Sequence, residues 1–317
     1  MTSLAKTTGM RVRLAPKRKH EPEVDFRIVV APIGTFQTLV STVHCLLSDV
    51  HFFVIKNETF EGIKVDSSTL DNTTMLKQQL SCNVELPEGV EEINFCVNVQ
   101  QLNSRIKNGN AAAFEIVRYK DQGHQIHIFY PNSNPRREFT LRTLTKDVVD
   151  NRLFDIDTQI SIQIRLSEIK EISRDFAKYG ASYLKVIVES AAENDTNHSF
   201  FTLSSEADGN VSKVTYHSTY RKTANNDIQV MCDDQSMLDY DGAKSRSKQM
   251  YCDSFPLDTI NAFLKSIDKG FVWLALSQRG PMILQYGLGN ENSNMRLILA
   301  PCAVDSDDEL WVRWGIF

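Results

Sequence analysis

The sequence lacks the long apolar run that a membrane-spanning helix requires. Such a helix takes roughly 20 consecutive apolar residues, and no run in these 317 residues approaches that length. The first residues also lack the apolar core of a secretory signal peptide. An intracellular protein is therefore expected.

Cysteine is sparse and irregularly spaced. The six cysteines include no C-x-x-C pair and no histidine at zinc-finger spacing, so we expect reduced, mostly buried thiols. The acidic pairs Asp233-Asp234 and Asp307-Asp308 have no further ligands nearby in the chain and are more typical of solvated acid than of a metal site. We predict no metal and no cofactor.

The motifs of the common enzyme classes are also missing. The sequence contains no P-loop, no G-x-G-x-x-G after a strand, no G-x-S-x-G and no H-E-x-x-H. The prediction is a protein without catalytic activity of its own. Any ATP hydrolysis would come from a partner.

The composition is that of a globular protein, with 42% hydrophobic and 24% charged residues. The length is sufficient for two domains of ordinary size. Because the formal net charge is −5, a polyanionic partner would have to be met by local basic patches.

One stretch, Leu166–Val188, predicts a charged amphipathic helix followed by a short strand. Ser167 is the expected N-cap and Gly180 the expected stop. The apolar face is formed by Ile169, Ile172 and Phe176. A basic stripe lies elsewhere on the helix and consists of Lys170, Arg174 and Lys178. Taken alone, this stripe is more typical of a solvated face than of a binding site.

The chain repeats one order of elements, strand–helix–strands–helix–strands. In the first part the helices are predicted at Pro32–Leu47 and Val99–Lys107, and in the second at 167–179 and Pro256–Asp268. A long polar insertion at 218–249 interrupts the second part. Two stretches with the same order indicate an internal structural repeat.

The segments outside the repeats are charged. Pro16–His20 (PKRKH) lies in a basic arm and suits a nuclear import signal, a non-specific nucleic-acid contact or a solvated tail. The connector Thr145–Asp157 is charged but carries apolar residues, which a plain linker would not need. They are expected to pack on the sheet and to form part of a docking groove.

Five motifs, in the right order between about residues 26 and 303, resemble the proliferating cell nuclear antigen family of DNA sliding clamps. They are Ile63–Thr69, Phe95–Leu102, Ser167–Gly180, Phe255–Lys265 and Leu299–Pro301. The resemblance implies an α+β clamp fold with two similar domains, each with two helices packed on antiparallel sheet. The implied division is a basic arm (1–24), domain 1 (25–144), a connector (145–157), domain 2 (158–303) and an acidic, aromatic tail (304–317).

The family closes three subunits head to tail into a ring. The resemblance implies that the strand near Glu138–Leu144 of one subunit pairs with the strand near Lys213–His217 of the next. Helices would line the hole and attract duplex DNA through its phosphates. Lys107, Arg174 and Lys265 match the family's cationic positions, and Lys170, Lys178 and Arg105 are additions of this chain.

Departures from the family pattern weaken the expected positive field. The helix Pro32–Leu47 has no lysine or arginine, and Glu171 and Asp258 stand where basic residues are common. The basic arm is a candidate to compensate.

A pocket for partner peptides is implied between the connector and the C-terminal strand. Partners of the family insert a one-turn helix with aromatic and aliphatic anchors. The matching positions are Val65, Leu153 or Phe154, Pro281, Ile298, Ala300 and Pro301. Thr69 and Ile298 replace a common histidine and tyrosine, so partner preference is expected to differ. The tail Asp305–Phe317 suits a tethered peptide in a clamp pocket, packing on the sheet, or disorder.

The resemblance implies a nuclear, homotrimeric processivity factor for DNA replication and repair. Its partners would be double-stranded DNA, a DNA polymerase, other proteins with clamp-binding motifs, an ATP-dependent clamp loader and further copies of itself. Two alternatives stay open: a subunit of a heterotrimeric DNA-damage checkpoint clamp, and a polymerase accessory factor that does not close a ring.

Overall fold

The computed structural model describes residues 23–69, 73–107, 112–131, 133, 135, 137–146, 158, 160–191, 198–219, 228–232, 247–277, 280–289 and 292–302. In this part of the chain the helices are α1 (Ile33–Leu46), α2 (Val99–Ile106), α3 (Leu166–Lys178) and α4 (Leu257–Lys265). All four predicted helices are confirmed. No helix within these ranges is long and apolar enough to cross a membrane.

The strands of the first half are β1 (Val24–Val30), β2 (Asp49–Lys56), β3 (Glu61–Ser68), β4 (Thr74–Ser81), β5 (Asn83–Glu85), β6 (Glu92–Asn98), β7 (Phe114–Tyr119), β8 (Gln125–Tyr130) and β9 (Arg137–Arg142). Those of the second half are β10 (Ile160–Arg165), β11 (Tyr183–Ala191), β12 (His198–Ala207), β13 (Asn210–Thr219), β14 (Ile228–Cys232), β15 (Ser247–Pro256), β16 (Phe271–Leu276), β17 (Met282–Gly287) and β18 (Asn294–Leu299). Within the described residues, each half therefore has one strand, a helix, five strands, a helix and three strands, which confirms the predicted repeat.

The termini of α3 agree only in part with the prediction. Gly180 has a φ of +82°, a conformation that favours glycine, and follows the last turn of the helix as expected. The predicted N-cap at Ser167 is wrong, because the helix begins one residue earlier and Arg165 occupies the capping position. No side chain makes a cap hydrogen bond there.

Two strands lie where the sequence suggested irregular chain. The polar insertion contributes β14, which pairs antiparallel with β10 from Ile160↔Cys232 to Ile164↔Ile228. The sequence pattern predicts a strand only from Gln79, but β4 begins five residues earlier, at Thr74. Strand β14 is a short, mostly apolar segment (IQVMC) inside a polar insertion, and the start of β4 (TMLKQ) mixes polar and apolar residues. Pairing with β10 and with β18, both distant in the chain, stabilises their extended conformation.

The two halves are built alike. Three sheets have the orders β5-β1-β7-β8-β9, β14-β10-β16-β17-β18-β4-β3-β2-β6 and β13-β12-β11-β15. The order β5-β1-β7-β8-β9 recurs in the second half as β14-β10-β16-β17-β18, and β4-β3-β2-β6 recurs as β13-β12-β11-β15. The predicted α+β fold with antiparallel sheets is confirmed.

One strand pair joins the halves into a continuous sheet. Strand β18 runs antiparallel to β4, from Asn294↔Gln79 to Leu299↔Thr74. The equivalent strands of the repeat are β9 and β13, and each is the terminal strand of its sheet. Within the described residues, β9 and β13 therefore have one unpaired side each.

The helices form one row in the order α2, α1, α4, α3, because α1 contacts both α2 and α4, and α4 contacts α3. The Thr42 hydroxyl of α1 lies 2.6 Å from the Ser266 hydroxyl at the end of α4. The same Thr42 hydroxyl donates to the Met295 sulfur at 3.5 Å. This buried polar contact links the halves beneath the β18–β4 pair.

The core of the first half is aromatic. Phe52 stacks on Phe95 with ring centroids 5.3 Å apart, and Phe95 stacks on Phe26 at 5.2 Å. Phe36 of α1 lies 6.1 Å from Phe52. These contacts pack the two sheets and α1 together through rings that are almost completely buried.

The cysteines differ from the prediction. The structure describes the side chains of five of them, all free thiols, and among these only Cys96 is buried. Cys45 is exposed and the remaining three are half-buried, so the expectation of mostly buried thiols is wrong for this part of the chain.

Candidate functional site

The row of helices carries more positive than negative side chains. Counting Lys107, which caps α2, it has six cations, namely Arg105, Lys107, Lys170, Arg174, Lys178 and Lys265, against four acids, namely Glu168, Glu171, Asp175 and Asp258. Helix α1 has no charged residue apart from His44. The excess of positive charge is small and lies at α2, one end of the row, because the cations and acids of α3 and of α4 are equal in number.

Arg174 is the most available cation of the predicted basic stripe. Its side chain is exposed. The neighbouring stripe residue Lys178 is exposed too, but its ammonium donates to the Asp175 carboxylate at 2.9 Å. That ion pair offsets part of the charge of Lys178, so Arg174 dominates the field of the stripe.

Lys170 has a structural contact that its position in the stripe did not predict. Its ammonium donates to the carbonyl oxygen of Ile267, just beyond α4. Burial lowers the pKa of Lys170; Asp268 opposes that shift and Arg174 adds to it. The side chain therefore ties α3 to the end of α4 and is half-buried.

The cations at the other end of the row lie beside an open sheet edge. The Arg105 guanidinium stands over the ring of Phe139 on β9, 5.4 Å from its centroid, a cation–π geometry. Lys107 follows at the C-terminus of α2 and is exposed. Lys265 is exposed in the last turn of α4, in the middle of the row.

Helix α3 also carries an acidic stripe, which the sequence reasoning missed. Glu168, Glu171 and Asp175 are spaced i, i+3, i+7 and so share one side of the helix. The Tyr216 hydroxyl of β13 donates to Glu168, and burial, followed by Glu168 and Glu171, raises the pKa of Tyr216. The spacing was visible in the sequence, but which structure the acids faced was not.

Of the residues predicted for a partner pocket, Ile298 lies on the outer face of the nine-stranded sheet, away from the helices. Leu297 and Leu299 of β18 belong to the core, while Ile298 between them points to the opposite face. Four apolar residues follow one another across neighbouring strands on that face and are called the outer strip. They are Ala275, Ile283, Ile298 and Met75.

Polar residues border the outer strip on one side, and turn residues lie at one end of it. The next row on this face includes Lys77, whose ammonium lies 3.3 Å from the Asp66 carboxylate. Ile298 is at the centre of the strip and is only 6% exposed. Ile283 and Met75, both half-buried, were not predicted as pocket residues, although the alternation of their strands places them beside Ile298.

Three further predicted residues lie at one end of the strip. Pro281 immediately precedes β17, and Ala300 and Pro301 follow β18. Because Met282 pairs with Leu299, these residues lie close together. The Ala300 amide donates to the Thr73 carbonyl at 2.9 Å, which holds this end of β18 against the start of β4.

The prediction for Val65 is wrong. It is 1% exposed and belongs to the core, on the face of β3 that points toward the helices. The side chain of Val65 is therefore separated from Ile298 by the sheet itself. Leu153 and Phe154 lie outside the described residues, and so do the basic arm and the tail.

The described residues contain no group of three or more His, Cys, Asp or Glu side chains that could hold a metal ion. No family model matches the sequence, and no curated protein matches it.

Solved structures do match. Proliferating cell nuclear antigen from Entamoeba histolytica is 16% identical with a TM-score of 0.68, over 88% of this chain and 99% of that chain. The PCNA2–PCNA3 complex from Sulfolobus tokodaii contains a chain that is 12% identical with a TM-score of 0.66, over 88% of this chain and 100% of that chain. This chain therefore has the sliding-clamp fold of the proliferating cell nuclear antigens.

Proposed function

We propose that the chain is the subunit of a ring-shaped sliding clamp that encircles duplex DNA and tethers a polymerase and other replication and repair enzymes. The main support is the pairing of β18 with β4. The repeat places β9 and β13 in the equivalent positions, each open on one side in the described part of the chain. The contact that joins the halves can therefore be repeated between subunits.

Such a joint is head to tail, because β9 and β13 are different strands at opposite ends of the row of helices. Repeated contacts of this kind generate a ring when the rotation closes. The proposed number of three subunits follows from the resemblance to the family, which closes three subunits into a ring. The row α2-α1-α4-α3 would then continue around the inside of the ring.

The proposed work of the ring is mechanical rather than catalytic. Cations on the helices attract phosphates without reading bases, and this attraction is nearly uniform along the duplex. The ring can slide along the duplex, and because it encircles the DNA it cannot dissociate sideways. A partner bound at the outer strip is thereby kept at the DNA, and a separate ATP-dependent loader opens and closes the ring.

Nuclear localisation belongs to the same proposal. It rests on the basic segment Pro16–His20 in the sequence, which suits an import signal.

Solution mass and retention on circular DNA test the ring. The purified chain alone is expected to have about three times its mass of 36.0 kDa. After loading onto nicked circular DNA it should stay bound at high salt, and cutting the circle should release it. A strict monomer, alone and on DNA, contradicts the proposal. Assembly only after addition of a different clamp chain favours the checkpoint-type heterotrimer.

The outer strip is expected to bind partner peptides through Ile298. Replacing Ile298 with alanine removes three carbons from the centre of the strip, and we expect about tenfold weaker binding, since each 1.4 kcal/mol changes affinity tenfold. Titration calorimetry with a one-turn helical peptide carrying aromatic and aliphatic anchors measures the change. Gln285→Ala, in the polar row of β17, is the control. Equal affinities of both variants and the unaltered chain would place the pocket elsewhere.

A further inference from the structure

The chain leaves both halves through the same backbone hydrogen bond. After β9, the Leu144 amide donates to the Cys96 carbonyl of β6 at 2.8 Å. After β18, the Cys302 amide donates to the Ser254 carbonyl of β15 at 2.7 Å. Cys96 lies three residues before α2 and Ser254 three residues before α4, so the two acceptors are equivalent in the repeat. The connector and the tail therefore begin at equivalent places.

The start of the connector is held on the outer face of the first half. Two residues after Leu144, the Lys146 ammonium donates to the Asp49 carboxylate at 2.6 Å. Asp49 is the first residue of β2 and pairs with Asn98, just before α2. It precedes the core residue Val50, so its own side chain lies on the outer face. This ion pair fixes the connector to the sheet.

The same place in the second half is apolar. Tyr183 is the first residue of β11 and pairs with Pro256, just before α4, so it corresponds to Asp49. In the tail, Val304 holds the position that Lys146 holds in the connector, two residues after the shared hydrogen bond. Both members of the ion pair are thus replaced by apolar residues. Tyr183 is 51% exposed, which leaves its ring open to a contact with Val304.

The outer face of the sheet β13-β12-β11-β15 carries two lysines in a row that contains no acid. The row starts where the tail begins and consists of Ser254, Lys185, Ser204 and Lys213. Both lysines are exposed. The residues of the first half that are equivalent to the last two are Asp66 and Lys77, which form an ion pair of 3.3 Å. The serine in place of the aspartate removes that carboxylate from the side of Lys213.

The tail carries the opposite charge within reach of both lysines. Its acids are Asp305, Asp307, Asp308 and Glu309. Because neighbouring strands are about 4.8 Å apart, β11 with Lys185 lies about 5 Å from β15 and β13 with Lys213 about 14 Å from it. An extended chain advances about 3.3 Å per residue. The acids follow Cys302 by three to seven residues, so they can cover both positions.

We propose that the outer face of the sheet β13-β12-β11-β15 binds the chain's own tail, with Val304 against Tyr183 and the acids over Lys185 and Lys213. The tail is the occupant because the hydrogen bond to Ser254 already places its first residues at the start of the row. Docked there, the tail leaves the outer strip to partner peptides. The contact lies within one chain and does not depend on ring formation.

Tryptophan fluorescence of the full chain tests this contact in the absence of DNA and partners. The chain has three tryptophans, and Trp273→Phe leaves only those of the tail as emitters. In that chain, Lys185→Glu with Lys213→Glu turns attraction into repulsion and is expected to release the tail, most clearly at low salt. Emission should shift to longer wavelength, and quenching by acrylamide should rise to the level of a free peptide of residues 303–317.

Restoring opposite charges should return the tail to the sheet. With Asp307→Lys and Asp308→Lys added to the two lysine reversals, emission and quenching are expected to match those of the Trp273→Phe chain. The matched control is Lys64→Glu with Lys77→Glu, the same charge change on the outer face of the first half. It should leave the tail docked.

Several outcomes overturn the assignment. Tail tryptophans that are already quenched like the free peptide in the Trp273→Phe chain are not docked. Unchanged quenching after reversal of Lys185 and Lys213, or failed restoration with native circular dichroism, excludes these lysines as the site. Release by the control pair alone places the tail at the outer strip, and protection that is lost on dilution assigns it to another copy. A chain that never assembles but protects its tail as expected contradicts the proposed ring and supports this contact.

Discussion

Replacing Arg174 and Lys178 with glutamate is expected to weaken the hold of the ring on DNA without changing its subunit number. Arg174 is exposed on α3. Reversal turns an attraction to phosphate into a repulsion in every subunit. Binding should fall most at low salt, where screening is weakest.

Most of this effect should come from Arg174. Lys178 already donates to Asp175 at 2.9 Å, and Lys170 is held by the Ile267 carbonyl. Arg174→Glu alone is therefore expected to reproduce most of the loss, while Lys178→Glu alone has a smaller effect.

The measurement is the affinity for a short linear duplex at several salt concentrations. Each phosphate contact contributes about 0.9 to the slope of log K against log salt, so the slope should become shallower by roughly one unit or more. Lys64→Glu is the control, because Lys64 lies on the outer face of β3, where its ammonium sits over the Phe60 ring. If the chain with Arg174→Glu and Lys178→Glu binds DNA with unchanged slope and affinity, the basic stripe is only a solvated face.

Of the substitutions proposed for this chain, Phe52→Ala is expected to cause the largest loss of folding stability. Phe52 is 1% exposed and contacts the rings of both Phe95 and Phe36. Truncation leaves a cavity between β2 and α1 as well as losing the transfer free energy of the ring. The cost should be about 3–5 kcal/mol of unfolding free energy.

Phe53→Ala provides the matched control, since Phe53 is the next residue of β2 and its half-buried side chain points to the other face. Urea unfolding at fixed protein concentration compares the two, because assembly also contributes to apparent stability. Losses of equal size in both variants would contradict the assignment of Phe52 to the structural centre of the first half.

Much of the fold could be predicted from local pattern. The apolar spacing of Ile169, Ile172 and Phe176 identified α3, and Gly180 marked its end, because helix period and a left-handed stop are local properties. The same logic failed for β14 and for the start of β4. Strand β14 is only five residues long inside a polar insertion, and the start of β4 has a mixed sequence. Their extended conformation depends on pairing with β10 and with β18, which lie far away in the chain.

The candidate site was predicted less completely than the fold. The cationic positions of α3 were visible as a stripe, but the anchoring of Lys170 to Ile267 required α4 to lie beside α3. Val65 was assigned to the pocket from its place in a motif, yet strand alternation and the position of the helices place its side chain in the core. Ile63 and Val65 alternate with Lys64 and Asp66 in β3, so the sequence pattern already indicated the core face, and the motif match was followed instead.

The amino-acid sequence by itself determined the helices, their apolar faces, the repeated order of elements and the charges available on each helix. These follow from spacing along a few neighbouring residues. Only the tertiary structure decided that β18 pairs with β4, that β9 and β13 each have an open side within the described residues, and that the basic end of α2 and the acidic stripe of α3 stand at opposite ends of the helix row. Such relations join residues separated by more than a hundred positions, and they depend on how the strands pair and the helices pack.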